Sequence, residues 1–88
     1  MSTPRPSRDV VLSEMDDGTA VLLHMRTKFY FALNSTGLFC WRQLEKGVER
    51  TELPTILASR FRVDPETARR DLEALIVELL EEELLVAE

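Results

Sequence analysis

The sequence predicts a single α+β domain, a three-stranded antiparallel sheet followed by three helices, similar to a winged helix-turn-helix. Two observations predict this fold. In residues 8–33, short apolar runs rich in branched and aromatic residues are separated by turn signals. From residue 34 onward the apolar spacing becomes helical, and prolines and capping residues divide this part into three segments. The chain of 88 residues has room for one modest core.

Residues 1–7 contain two prolines and two serines and show no apolar periodicity. This composition predicts a disordered N-terminal lead-in, with the domain itself spanning residues 8–88. The apolar run of residues 8–15 predicts a first strand, and the Asp-Asp-Gly at residues 16–18 predicts the tight turn after it. The run "TAVLLHM" (residues 19–25) is the second strand.

The stretch "KFYFAL" (residues 28–33) predicts a third strand, at one edge of the meander. Its side chains are apolar on both faces, since Phe29, Phe31 and Leu33 share one face while Tyr30 and Ala32 share the other. One face must cover the helices. The sequence leaves open which face that is, and what the second face covers.

The first helix begins at an N-cap formed by Asn34 or Ser35 and ends at Gly47. The second helix begins at Thr51 and tolerates Pro54 in its first turn.

The third helix has Asp64 as its N-cap and Pro65 at its first helical position, and it runs to about Leu84. Together with the second helix and the intervening turn it forms a helix-turn-helix pattern. Its predicted core stripe is Ala68, Leu72, Leu75, Ile76 and Leu79.

No catalytic or cofactor-binding pattern is present. His24 is the only histidine and lies within a strand, which favours a structural role over that of a base or ligand. Cys40 is the only cysteine, so no internal disulfide or cysteine metal cluster forms, and its neighbours Phe39 and Trp41 favour a packing role. The isolated glycines do not form a phosphate-binding loop. We therefore expect no enzymatic activity, metal or cofactor.

The charge distribution separates two classes of binding partner. Residues 1–63 carry a net charge of +2, whereas residues 64–88 carry −7, which gives −5 in total. A DNA-recognition helix should bring Lys and Arg close to phosphates, but the third helix has only Arg69 and Arg70 near its start. A winged-helix DNA-binding protein is therefore the weaker alternative, and we expect no nucleic-acid partner.

No apolar run is long enough for a membrane span or a secretory signal, which predicts a cytoplasmic protein without a membrane partner. One flank of the third helix carries Arg69, Glu73, Val77 and Leu80 at helical spacing. This strip either widens the core, forms a homodimer contact, or receives an extended peptide beside the third strand.

Two long segments resemble the PqqD-like proteins, the RiPP recognition elements. They are "DGTAVLLHMRTKFYFALNSTGLFCW" and "TELPTILASRFRVDPETARRDLEALIVELLEEELL". The matching features are a strand ending in "LNSTG" before the aromatic helix "LFCW", and the pattern F-x-V-D-P-E-x-A-x-x-D that opens the third helix. Members of this family are small winged-helix-type domains that recognise the leader segments of ribosomally made, modified peptides.

The resemblance implies a non-catalytic binding module. The leader would add an antiparallel strand to the third strand, in a groove beside the third helix. The module would then deliver the precursor to a leader peptidase, as in lasso-peptide systems, or to a radical-SAM enzyme, as in the pyrroloquinoline quinone pathway. Arg69 or Arg70 would pair with acidic leader side chains. The residues implied to bind the peptide are Lys28, Phe29, Tyr30, Phe31, Ala32, Leu33, Arg69, Leu72, Glu73, Ile76, Val77 and Leu80.

The resemblance leaves the oligomeric state as a monomer or weak homodimer, because open edge strands are prone to swapping. The sequence departs from the family pattern at two places. Many relatives have a glycine in the turn before the third strand, where this chain has Arg26-Thr27-Lys28. Relatives also often place a small residue before the final Leu-Leu, where this chain has Glu83.

Overall fold

The computed structural model describes residues 3–87 of the chain. The elements in chain order are β1 (Arg5–Pro6), β2 (Val10–Glu14), β3 (Ala20–His24), β4 (Tyr30–Leu33), α1 (Ser35–Glu45), α2 (Leu53–Phe61), α3 (Pro65–Glu81) and β5 (Leu85–Val86). The sheet has the order β2-β3-β4 with antiparallel pairing throughout, and β1 pairs antiparallel with β5. The predicted α+β fold, a three-stranded antiparallel sheet followed by three helices, is confirmed.

The strand register aligns two rows of apolar side chains on opposite faces of the sheet. Leu22 is paired with Leu12 on one side and with Phe31 on the other, and it is completely buried against the helices. On the outer face Leu23 is paired with both Val11 and Tyr30. Because side chains alternate along a strand, this register determines which residues can reach the helices.

The helices begin at the capping residues that the sequence indicates. The Asn34 side-chain oxygen accepts the N–H of Gly37 at 2.8 Å, which identifies Asn34 as the N-cap of α1. The Asp64 carboxylate accepts the N–H groups of Glu66 and Thr67 at 3.0 and 3.2 Å. α2 begins at Leu53, two residues later than predicted, after an N-cap residue whose side chain makes no capping hydrogen bond.

α3 ends at Glu81, three residues before the predicted end at Leu84. The N–H of Glu83 donates to the Leu80 carbonyl at 3.0 Å, and the N–H of Leu84 donates to the Leu79 carbonyl at 2.8 Å. This is a Schellman motif, with Glu83 in the left-handed conformation at φ 60°. The end of α3 is not evident from the sequence, because a glutamate occupies the position at which glycine usually indicates a helix end.

Both departures from the family pattern fall on left-handed residues. Lys28, in the turn before β4, has a φ of 64°, and Glu83 has a φ of 60°. Glycine adopts this conformation without a steric penalty, so a side chain at either position costs conformational energy that glycine would avoid. The two turns are adjacent in space, because the Arg26 guanidinium lies 2.6 Å from the Glu83 carboxylate.

Residues 3–7 do not match the disordered lead-in that their composition indicates. Arg5 and Pro6 pair with Val86 and Leu85, and the Thr3 side chain donates a hydrogen bond to the Glu49 carboxylate at 2.6 Å. The segment is ordered by these long-range contacts, which local composition does not encode. Met1 and Ser2 lie outside the described residues.

Arg5 is the side chain through which this segment holds the end of α1. Its guanidinium donates to the carbonyls of Val48 and Gly47 at 3.1 and 3.2 Å. We expect Arg5→Ala to lower the free energy of unfolding by about 1–2 kcal/mol, because these hydrogen bonds are lost. Arg8→Ala, at an exposed position, should change it by less than about 0.5 kcal/mol. Urea denaturation of both variants tests this, and equal midpoints would contradict it.

The core is formed by the helices and the inner face of the sheet. Its largest fully buried side chain is Trp41, whose indole N–H donates to Glu45 at 3.1 Å. The remaining fully or almost fully buried apolar residues are Ala20, Leu22, Leu33, Cys40, Leu44, Leu53, Leu57, Ala68, Leu72, Ile76, Leu79, Leu84 and Leu85. No helix within residues 3–87 has the length and apolarity to span a bilayer.

Candidate functional site

A groove of about 470 Å³ lies between the edge strand β4 and the helix α3, and we call it the β4–α3 groove. The beginning of α1 and the α2–α3 connection close one part of it. Its walls are mostly apolar, as expected for a surface that takes up side chains of a ligand. β4 contributes Phe31, Ala32 and Leu33, and α3 contributes Ala68, Asp71, Leu72, Ala74, Leu75 and Glu78.

The structure decides which face of β4 borders the helices. Leu33 is 2% exposed and Phe31 is half-buried, so these two side chains form the inner face. Tyr30 is 66% exposed on the outer face, which it shares with Ala32. Phe31 and Leu33 therefore face the helices and line the groove together with Ala32, whereas Tyr30 on the outer face is mostly exposed.

The outer edge of β4 carries backbone groups that no other described strand uses, because β4 is the last strand of the sheet. The N–H of His24 donates to the Phe29 carbonyl at 2.9 Å, which sets the alternation of the ladder. By that alternation Phe31 and Leu33 bond to β3, while the N–H and C=O groups of Tyr30 and Ala32 point outward. An extended chain placed along this edge could therefore form backbone hydrogen bonds with Tyr30 and Ala32.

α3 presents one flank to the groove and a different flank to solvent. Asp71, Leu75 and Glu78 lie along the groove side, next to the buried core stripe. Leu75 is half-buried, whereas both acidic residues are exposed. The groove therefore has an apolar centre and a charged helical rim.

The flank of α3 that the sequence indicated does not line this groove. Its Glu73 carboxylate instead forms a salt bridge with Arg50 at 2.8 Å, and Arg69 pairs with Glu66 one turn away. Val77 is 51% exposed, and Leu80 is half-buried against the core. This strip therefore lies outside the β4–α3 groove, and its role in peptide binding stays a prediction.

The structure thus brings four of the twelve indicated residues together in the groove. These are Phe31, Ala32, Leu33 and Leu72. Lys28, Phe29 and Tyr30 precede the groove at the start of β4, where the Phe29 ring lies 6.5 Å from that of Phe31. Ile76 is completely buried in the core. As peptide-binding residues, all twelve stay predictions.

Sequence reasoning missed the groove residues Asp71, Ala74 and Glu78. A signal for them exists, because Asp71, Leu75 and Glu78 follow the i, i+4, i+7 spacing of one helical face. The same spacing occurs on the opposite flank, so the pattern alone could not select between the two.

The surroundings of Cys40 and His24, two residues with reactive side chains, indicate structural roles. Burial raises the pKa of the Cys40 thiol to about 11, so the thiol is protonated at neutral pH and a poor nucleophile. The Nδ1 atom of the buried His24 accepts the N–H groups of Arg26 and Thr27 at 3.2 and 3.3 Å, which holds the turn before β4. Residues 3–87 contain no cluster of three or more potential metal ligands.

Comparisons with known proteins identify one family and two similar solved structures. Residues 19–85 match the model of the family described as coenzyme PQQ synthesis protein D (PqqD). A solved structure of TbiB1 in complex with the TbiA(beta) leader peptide is 34% identical, with a TM-score of 0.85, and the match covers 96% of this chain and 99% of that chain. A lasso peptide synthetase B1 complexed with the leader peptide is 27% identical, with a TM-score of 0.86, and the match covers 98% of this chain and 100% of that chain. No curated protein gives a significant match.

Proposed function

The chain belongs to the PqqD family, and from that premise we propose that it binds the leader segment of a ribosomally synthesised precursor peptide. The two similar solved structures support this proposal, since both are complexes with a leader peptide. Both matches cover nearly the whole of either chain, so this chain has the parts of a complete binding module of that kind.

The observation that carries the proposal is the open edge of β4 above an apolar groove. A leader in extended conformation would pair antiparallel with β4, using the outward N–H and C=O groups of Tyr30 and Ala32. Alternate leader side chains would then point toward Phe31, Leu75 and the other groove residues. Backbone pairing supplies part of the affinity, and the groove selects side chains.

The module acts by delivery and performs no chemistry of its own. The bound leader holds the precursor beside a processing enzyme, which raises the local concentration of the substrate. The enzyme is a leader peptidase or a radical-SAM enzyme. The similarity to a lasso peptide synthetase B1 favours the leader peptidase.

Titration of a fluorescent leader peptide tests this function directly. The peptide is taken from the precursor encoded next to the gene for this chain. We expect saturable binding with a dissociation constant of about 1 μM or lower. A duplex DNA at low salt serves as the comparison, since a winged-helix DNA-binding protein would bind it with a steep loss of affinity on added salt. Absence of leader binding, or tighter binding of the duplex, would overturn the proposal.

A further inference from the structure

The helical rim of the β4–α3 groove is negatively charged. Asp71 and Glu78 line the groove from α3, and both carboxylates are exposed to solvent. The groove lining contains no lysine, arginine or histidine. A strand bound in the groove would therefore lie next to the two carboxylates of α3, and no cation of the groove lining would compensate their charge.

The acidic residues outside the groove are in a different situation, because several of them have intramolecular partners. Glu66 pairs with Arg69, Glu73 with Arg50 and Glu83 with Arg26. Within residues 3–87, neither Asp71 nor Glu78 takes part in a salt bridge. Three arginines of the fold thus pair with acidic residues outside the groove lining, whereas the two groove carboxylates have no such partner in the described part of the chain.

We propose that the groove selects a leader strand that carries lysine or arginine side chains directed at the Asp71–Glu78 rim. This inference rests on the proposed function and adds the charge of its ligand. It differs from the expectation that Arg69 or Arg70 pairs with acidic leader residues, since neither arginine lines the groove and Arg69 pairs with Glu66. The apolar centre contributes the larger share of affinity, and the rim distinguishes leaders by charge.

The spacing of the two carboxylates fits an extended ligand. Seven helical residues separate their backbones by about 10 Å along α3. An extended strand covers that distance with about three residues. Because side chains alternate along a strand, basic residues two or four positions apart in the leader point to the same side and can approach both carboxylates.

Charge reversal at the rim tests the inference. Asp71→Lys and Glu78→Lys are compared with Glu52→Lys, which makes the same change in net charge at an exposed position just before α2, outside the groove lining. Binding of the neighbouring precursor's leader should weaken by about 2- to 30-fold in either rim variant, since an attraction is replaced by a repulsion between exposed groups. The loss should shrink as salt is added. The Glu52→Lys protein should bind like the unmodified chain.

A second arm changes the peptide instead of the protein. Replacing the lysines and arginines of the leader with glutamine should weaken binding to the unmodified chain but not to the Asp71→Asn/Glu78→Gln double variant. If the unmodified chain binds the leader and the rim variants match Glu52→Lys, charge selection is refuted while the proposed function survives. If the unmodified chain binds no leader, the proposed function fails and this inference fails with it.

Discussion

Replacing Ala32 with proline is expected to weaken leader binding by roughly 30- to 1,000-fold while the fold is retained. The N–H of Ala32 points away from β3, so its loss removes no hydrogen bond of the sheet. In the complex, however, the leader would lose one ladder bond and bury an unpaired carbonyl. Together these effects correspond to about 2–4 kcal/mol. Titration with the fluorescent leader measures the change, and circular dichroism verifies the fold.

Glu14→Pro is the matched control, because β2 forms the opposite edge of the sheet. The N–H of Met15 donates to Thr19 at 2.8 Å, so alternation turns the N–H of Glu14 outward as well. This variant also loses an exposed ion pair with Arg42, which contributes little to stability. It should bind the leader normally. Equal effects of the two prolines would show that the leader does not use the β4 edge. Phe31→Pro is a poorer probe, because that N–H bonds to β3.

Filling the groove from its helical side is expected to reduce affinity by roughly 5- to 150-fold. Ala74 lines the groove with an exposed side chain, so Ala74→Trp places an indole in the space that leader side chains would occupy. Overpacking of this kind costs about 1–3 kcal/mol, which here opposes binding and not folding. The leader titration of this variant, with its thermal unfolding as a fold check, gives the measurement.

Val77→Trp is the corresponding change on the opposite flank of α3, where Val77 is 51% exposed and does not line the groove. We expect it to leave leader affinity unchanged. The pair of variants decides between the two flanks of the helix. If Val77→Trp abolishes binding and Ala74→Trp does not, the flank indicated by the sequence is the binding surface, and the β4–α3 groove is not.

Much of the fold could be predicted because it depends on local signals. Asn34 and Asp64 cap their helices through contacts to backbone groups two or three residues away, so the sequence identified Asp64 and narrowed the first cap to Asn34 or Ser35. Where a local signal was missing, the prediction was less accurate. α3 stops at a left-handed glutamate, and β1 and β5 form only because distant parts of the chain meet.

In the candidate site too, features with a local sequence signal could be predicted, and features set by tertiary contacts could not. The sequence identified β4 as an edge strand with two apolar faces, because strand alternation and a meander follow from neighbouring residues. It could not decide that Phe31 and Leu33 face the helices and Tyr30 faces solvent, because that choice depends on the register with β3.

The chain's sequence by itself determined the fold class, the starts of α1 and α3, the edge strand and the strongly acidic C-terminal part. Only the tertiary structure decided that α3 turns Asp71, Leu75 and Glu78 toward β4 and leaves Glu73 to pair with Arg50. Both flanks of the helix have acceptable periodicity, so periodicity cannot rank them. The burial of four α3 residues in the core sets the rotation of the helix about its axis; they are Ala68, Leu72, Ile76 and Leu79. With that rotation, the groove forms between α3 and the edge strand β4.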